Sequence, residues 1–352
     1  MTVSRVINDS GYVSPEARAR VTRAIAELGY MPNILARQLR SKRTKTIALV
    51  LTDIANPFFT TIARGVEDAA RAQGYAVMFC NTDESETEEI EYIRVLIGRQ
   101  VDGVLLVPAT DSSAALQLLH KYGLPVVILD RRLRSGGVDE VRTDSEAGAH
   151  VAVSHLLDLG HRRIAVLTGP ETVSTSADRV AGYRRAMAEE GLDPNDEMVF
   201  FGGYNEASGF EMMRRILGSQ RRPTAIFAAN NFVAFGAIRA LREAGLRTPE
   251  DMSIAVFDDL PPGWVFDPFL TVVSQPAYEI GRQAAELMLE RLAGKAPAEP
   301  RTIVLPSELI TRRSTAPPRS EAVAFTPTDR VQRRTVHEPD AVGTVRHRGR
   351  RG

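Results

Sequence analysis

Thr2-Val3-Ser4-Arg5-Val6-Ile7-Asn8 opens a stretch, running to about residue 45, on which the reading of the whole chain turns. Val3, Val6 and Ile7 fall at helical i, i+3, i+4 spacing and leave Ser4, Arg5 and Asn8 opposite. The segment predicts a short helix with one apolar stripe and one polar, basic stripe. A second helix is expected from about 15 to 28. Ser14 suits its N-cap, Pro15 its first turn, Ala17, Val21, Ala24, Ile25 and Leu28 its stripe, and Gly29 its stop. After Tyr30-Met31-Pro32, residues 33–40 read as a short linker-like helix running into Ser41-Lys42-Arg43-Thr44-Lys45.

Charge is segregated along the chain. Through residue 46 there are nine Lys/Arg and three acids, a net of +6, while the whole chain balances 44 cations against 44 anions. Such a local basic face is the footprint of a module that contacts phosphates.

Together with Ser14-Pro15-Glu16, Gly29-Tyr30-Met31-Pro32-Asn33 and Ala36-Arg37-Gln38-Leu39, these residues resemble the headpiece of the LacI/GalR family of bacterial transcriptional regulators. The likeness continues to about residue 315. It implies a truncated all-α helix-turn-helix headpiece over 1–32 and a hinge helix with linker over 33–46. Thr2, Ser4, Arg5 and Asn8 would then lie on a major-groove recognition helix. Asn33, Ala36, Arg37 and Leu39 would sit on the hinge, with Leu39 wedged into the minor groove, where an apolar side chain unstacks a base step. The first helix and turn do not precede Thr2. A recognition helix without its packing partner is marginal in water. Specific operator binding is therefore not expected of the chain as written, and a start some 15 to 20 residues upstream is expected, about the length a helix and turn need.

At 352 residues and 43% apolar content, the chain can build two or three domains. Its single cysteine, Cys80, excludes internal disulfides and thiolate metal clusters. No cofactor or metal is called for. No run approaches the roughly 18 apolar residues of a membrane span and no signal segment is visible, so a cytoplasmic location is expected.

Beyond residue 46, short β-branched runs alternate with amphipathic stretches. Strands are expected at 47–51, 76–80, 104–107, 126–129, 164–167, 199–201, 225–228, 254–257, 271–273 and 303–305, with helical patterns such as 59–73, 147–159, 177–190 and 232–244 between them. Alternation of this kind implies an α/β fold with right-handed crossovers and parallel sheets covered on both faces. Ten strands exceed one comfortable sheet, so two doubly wound parallel-sheet lobes over 47–315 are the simpler solution, with a ligand cleft between them. The family resemblance implies this periplasmic-binding-protein-like arrangement and places the crossings near 142, 275 and 303. The N-lobe would hold about 47–142 and 275–303, the C-lobe about 143–274 and 304–315.

Polar residues cluster at the strand ends: Asn56-Pro57-Phe58-Phe59, Asp130, Asn230-Asn231, Asp258-Asp259 and Gln275. Carbohydrate recognition needs such planar, bidentate groups for hydroxyls and an aromatic face for the C–H side of the ring. For any one of them a turn or N-cap role remains open. By resemblance, the effector pocket is formed by Phe59, Asp130, Arg179, Tyr204, Asn230, Asp258 and Gln275, with Arg179 and Asp258 as hydroxyl clamps and Phe59 and Tyr204 as stacking surfaces. Asn231 stands where the family usually has aspartate. His161, in Gly160-His161-Arg162-Arg163, reads as part of a turn entering the strand at Ile164.

No phosphate loop, dinucleotide fingerprint, zinc-protease helix or serine elbow is present, and Asp258-Asp259 diverge as neighbours, unlike glycosidase carboxyls. An enzyme is not expected. Residues 316–352, with eight arginines and four acids, have no apolar period and are expected to form a disordered basic tail, leaving the lobes at −10. The combined expectation is a ligand-responsive transcriptional regulator, a repressor, that binds palindromic double-stranded DNA as a homodimer and takes a sugar or sugar derivative as effector. The alternative left open is a soluble sugar-binding protein that no longer contacts DNA.

Overall fold

In the computed structural model, residues 2–7, 11–29, 43–134, 136–193, 198–261 and 267–319 are described. Two helices come first, α1 (Thr2–Ile7) and α2 (Pro15–Leu28), and they touch. Ser14 Oγ accepts from the Ala17 N–H at 3.3 Å, and Gly29 closes α2 in the left-handed region at φ 57°. Both ends are as the sequence reads. On the expected stripes Val3 and Leu28 are exposed, and no residue of α2 is buried. The expected helix at 33–40 lies outside the described residues.

The body is built on two six-stranded sheets. One has the order β11-β5-β4-β3-β1-β2, with β1 (Thr46–Leu51), β2 (Ala76–Asn81), β3 (Gly103–Leu106), β4 (Val126–Leu129), β5 (Asp139–Thr143) and β11 (Thr302–Leu305), all parallel. The other has the order β12-β10-β9-β8-β6-β7, with β6 (Ile164–Thr168), β7 (Val199–Phe201), β8 (Ala225–Ala228), β9 (Ser253–Phe257), β10 (Thr271–Ser274) and β12 (Glu308–Ile310). Here one edge departs from the all-parallel expectation, since β12 pairs antiparallel with β10. The chain passes between sheets near 144, 276 and 306.

Helices cover both faces. Ile47, Leu49 and Leu51 pack beneath α3 (Pro57–Ala72) and α10 (Ala277–Leu292), whereas Ala48 and Val50 pack beneath α4 (Glu86–Gly98) and α5 (Ala114–Lys121). Burial on both sides makes β1 read as an unbroken apolar run. In the second lobe, α6 (Ser145–Asp158) and α7 (Ser174–Glu189) cover one face, and α8 (Glu206–Leu217) and α9 (Asn231–Glu243) the other.

Glycine sets the closest helix approach. A Cβ at Gly65 would lie 2.1 Å from the Tyr278 carbonyl oxygen, and one at Gly281 would lie 2.0 Å from that of Ile62, so α3 and α10 pack backbone to backbone there.

Two strands escaped the sequence pattern. β5 buries Asp139 and Thr143 beside Val141, so its inward face is mostly polar. Asp139 is tolerated because Arg291 grips both carboxylate oxygens at 2.6 and 2.8 Å and the Arg301 N–H adds a third bond at 2.8 Å. β12 spans three residues, too few to show a period.

The boundary of the tail also shifts. Ala316, expected to lie in it, is fixed by its N–H to Ser253 Oγ at 3.0 Å and by its carbonyl, which accepts from Ser253 Oγ at 2.9 Å and contacts His161 Nε2 at 2.9 Å. The compact unit runs to Pro318. Further residues of the expected tail, from 320 onward, lie outside the described set. His161, held also by Thr224 Oγ1 at 2.8 Å, therefore pins the chain end, and burial lowers its pKa.

Candidate functional site

The carboxyl ends of the two sheets face a shared cleft lined by Asp53, Asn56, Phe58, Phe59, Glu84, Asp130, Arg131, Thr175, Arg179, Tyr204, Asn230 and Asp258. Six of the seven expected effector residues meet there. Gln275 is the exception. It stands behind the cleft, donating from Nε2 to Asp258 Oδ1 at 2.6 Å and accepting from Thr143 Oγ1, so it orients Asp258 across the joint between the lobes.

Asp130 and Asp258 hold left-handed backbones at φ 63° and 75°. Aspartate is among the few side chains that enter this region, and the turn aims each carboxylate inward. Both are 6% exposed. Burial raises both pKa values, that of Asp258 to about 6, although Arg179 and the Gln275 hydrogen bond oppose the rise.

Arg179, one turn into α7, donates from Nη1 to the Ala229 carbonyl at 2.6 Å and lies 3.9 Å above the Phe257 ring centre. The Tyr204 hydroxyl lies 2.8 Å from Ser176 Oγ and 3.2 Å from Thr175 Oγ1, so its ring is locked as a wall. Asn230 has the capping role considered for it and also lines the cleft. Its Oδ1 caps α9 through the Val233 N–H at 2.8 Å, and its Nδ2 donates to the Tyr204 carbonyl at 3.3 Å. Asn56 likewise caps α3, through the Phe58 N–H at 3.0 Å. Phe58 and Phe59 pack edge to face at 5.2 Å.

Arg131 was not anticipated from sequence. It is 3% exposed, forks onto Glu84 at 2.6 and 2.7 Å, donates to the Pro108 carbonyl at 2.9 Å, and lies 5.7 Å over Tyr204. Burial opposes its charge, but Glu84 more than compensates and the pKa rises. Its neighbour Arg132 instead pairs with Asp178 nearer the surface. Position next to Asp130 was the one available signal, and it did not separate the two arginines.

Three buried cleft atoms make no hydrogen bond to protein: Asp130 Oδ1, Arg131 Nε and Arg179 Nε, although Arg131 Nε lies 3.9 Å from Asp130 Oδ2. Free space in the cleft is about 20 Å³, room for a single water, so the lobes are closed on their own side chains. A hollow of about 640 Å³ on the second lobe shares Asp258 with the cleft; Phe235, Ile238, Leu260 and Phe269 give it apolar walls, and Arg239, Arg242, Asp259 and Arg312 line it as well.

In the headpiece, Thr2 and Arg5 are exposed and Ser4 falls within α1. Asn8, Asn33, Ala36, Arg37 and Leu39 lie outside the described residues. The segment leading into the body is fastened by Asp102, whose carboxylate accepts from Thr44 N–H at 2.7 Å, Thr44 Oγ1 at 3.0 Å and Lys45 N–H at 3.0 Å.

Residues 44–313 match the family described as periplasmic binding proteins and sugar binding domain of the LacI family, and residues 1–33 match the lacI family of bacterial regulatory proteins. The chain belongs to the LacI family. Within that family it is 36% identical over 316 residues to the HTH-type transcriptional repressor PurR of Aliivibrio fischeri (strain MJ11), covering 89% of this chain and 94% of the relative. A LacI family regulator from Enterococcus faecium, solved with bound ribose, is 34% identical with a TM-score of 0.69, covering 78% of this chain and all of that one. The lac repressor dimer bound to operator and the anti-inducer ONPF is 28% identical with a TM-score of 0.79, covering 90% and 94%.

Proposed function

We propose that this chain is a cytoplasmic, homodimeric transcription regulator, not an enzyme. In the complete gene product the headpiece binds a palindromic operator, and a neutral sugar in the cleft sets the affinity for DNA. The carrying observation is the set of unpaired cleft atoms between aromatic walls. Asp130 Oδ1 can only accept while Arg131 Nε and Arg179 Nε can only donate, and a hydroxyl satisfies both kinds at once. The lining holds four carboxyl groups, Asp53, Glu84, Asp130 and Asp258, against two guanidiniums, which favours a neutral ligand over a sugar acid or phosphate. The ribose complex of the Enterococcus relative supports the same class.

Because the cleft is closed, a sugar must bind an opened form and replace the contacts that close it. Its control over DNA equals its differential affinity for the two forms. On this proposal Thr2, Ser4, Arg5 and Asn8 face the major groove, and Asn33, Ala36, Arg37 and Leu39 serve the hinge. Two-fold symmetry lets a pair of headpieces read two half-sites, as the operator-bound lac repressor dimer does.

A thermal-shift screen over pentoses, hexoses, sugar acids and nucleobases tests the ligand class. A sugar at 100 times its dissociation constant adds about 2.7 kcal/mol of stability. A neutral sugar that raises the melting temperature supports the proposal; a response confined to acids or nucleobases overturns it.

A further inference from the structure

Glu89 is buried on the first turns of α4 at 3% exposure and does not line the cleft. Its Oε2 accepts from the Ala109 N–H at 2.7 Å. The same peptide group presents its other end, the Pro108 carbonyl, to Arg131 Nη1 at 2.9 Å. One planar amide thus stands between a buried carboxylate and the buried guanidinium of the cleft. It cannot turn without breaking both bonds. Hydrogen bonds in such a chain polarise one another, and an anion at the N–H end strengthens the acceptor at the carbonyl end.

From this chain of contacts we infer that Glu89 is a positioning residue for the ligand cleft, holding Arg131 in place through the peptide between Pro108 and Ala109. The ligand part of the inference rests on the cleft being the effector site; the placement of Arg131 does not. Glu84 grips the same guanidinium through both terminal nitrogens, so the turn before α4 and the first turns of α4 supply the two anchors. Burial pushes the Glu89 carboxyl up to about 7, with Glu86 and Glu84 adding to the rise and the Ala109 N–H and Arg131 opposing it. The grip on Arg131 therefore tightens as pH climbs through neutrality and Glu89 ionises.

Arginine modification by phenylglyoxal, read by peptide mapping as the rate at Arg131 relative to Arg179 in the same ligand-free molecules, tests the placement. Arg179 is as deeply buried in the same cleft and corrects for general loosening and for the reagent's own pH dependence. Glu89→Ala should raise the ratio at least about ten-fold at pH 8. Glu89→Gln keeps an acceptor for the Ala109 N–H without charge and should give a ratio close to the wild-type value at pH 6. Asp258, which faces Arg179, titrates in the same range in both proteins, so the reading is the difference between them: from pH 6 to pH 8 the wild-type ratio should fall about three-fold or more relative to that of Glu89→Gln. An unchanged ratio in Glu89→Ala, or the same pH trend in the wild type and Glu89→Gln, overturns the inference. If Glu89→Ala does not fold, the wild-type pH series and Glu89→Gln decide. A panel of neutral pentoses and hexoses is added in a separate arm: if none raises the wild-type melting temperature, the effector reading of the cleft fails while the arginine ratio still stands or falls by itself.

Discussion

Asp258 pits ligand binding against stability. Its carboxyl is pushed up by burial to about 6, from an ordinary 3.8, so the folded chain holds this proton more tightly than the unfolded chain does. Stability from Asp258 is therefore greatest below about 4 and is lost as pH rises towards 6, by on the order of 3 kcal/mol. The ionised form is the one that accepts from two hydroxyls. Asp258→Asn should raise the melting temperature of the ligand-free protein at pH 7.5 and weaken sugar binding at least about ten-fold. In the wild type, affinity should fall several-fold from pH 7.5 to pH 5, a trend the variant lacks. Calorimetric titration across that range checks the binding, and a melting curve checks the stability. Arg179→Lys keeps the charge but loses the planar fork, and its affinity should drop at least about ten-fold in the same titration. At this scale the sequence marked strand-end residues that the fold brings into one cleft, because Asp and Asn stand out there. It did not separate Arg131 from Arg132, or reveal that Gln275 faces Asp258, since both depend on which way a backbone turns.

Among the elements, the α3–α10 contact and the α2 cap are the sharpest points. Gly65→Ala and Gly281→Ala each force a methyl against a carbonyl oxygen, with no flexible side chain to yield. Each should destabilise by about 1 to 3 kcal/mol or more in denaturant unfolding. Gly98→Ala, where nothing lies within 4 Å, is the neutral control. Ser14→Ala should cost about 1 kcal/mol of headpiece stability, read as loss of α2 helicity on heating. Leu39→Ala should weaken operator binding far more than binding to random duplex, because the wedge acts only on a bent site; equal loss on both counts against the hinge assignment. Elements were legible where burial matches period, as in β1, or where both caps are written in the residues, as in α2. β5 was not, since its inward Asp139 is sustained by Arg291, 152 residues away.

For the whole molecule, charge and topology carry the function. Cations gather at the amino-terminal end, while the lobes are acidic, so the body should repel DNA and confine it to the headpiece. The two-lobed form was legible from alternation alone, because a parallel sheet must bury both faces. The crossings were not, because a strand that changes sheets looks like any other in sequence; their positions came from family likeness. With about 6 to 10 phosphate contacts, affinity for DNA should fall roughly 10³- to 10⁵-fold between 50 and 200 mM salt. The most direct test is fluorescence anisotropy of the complete gene product on the duplex upstream of its own gene and on a random duplex, each with and without the sugar that gives the largest thermal shift. Tighter binding to its own control region, changed at least about five-fold by that sugar, is the expected result; equal affinity for the two duplexes, unmoved by any sugar that binds, would contradict it.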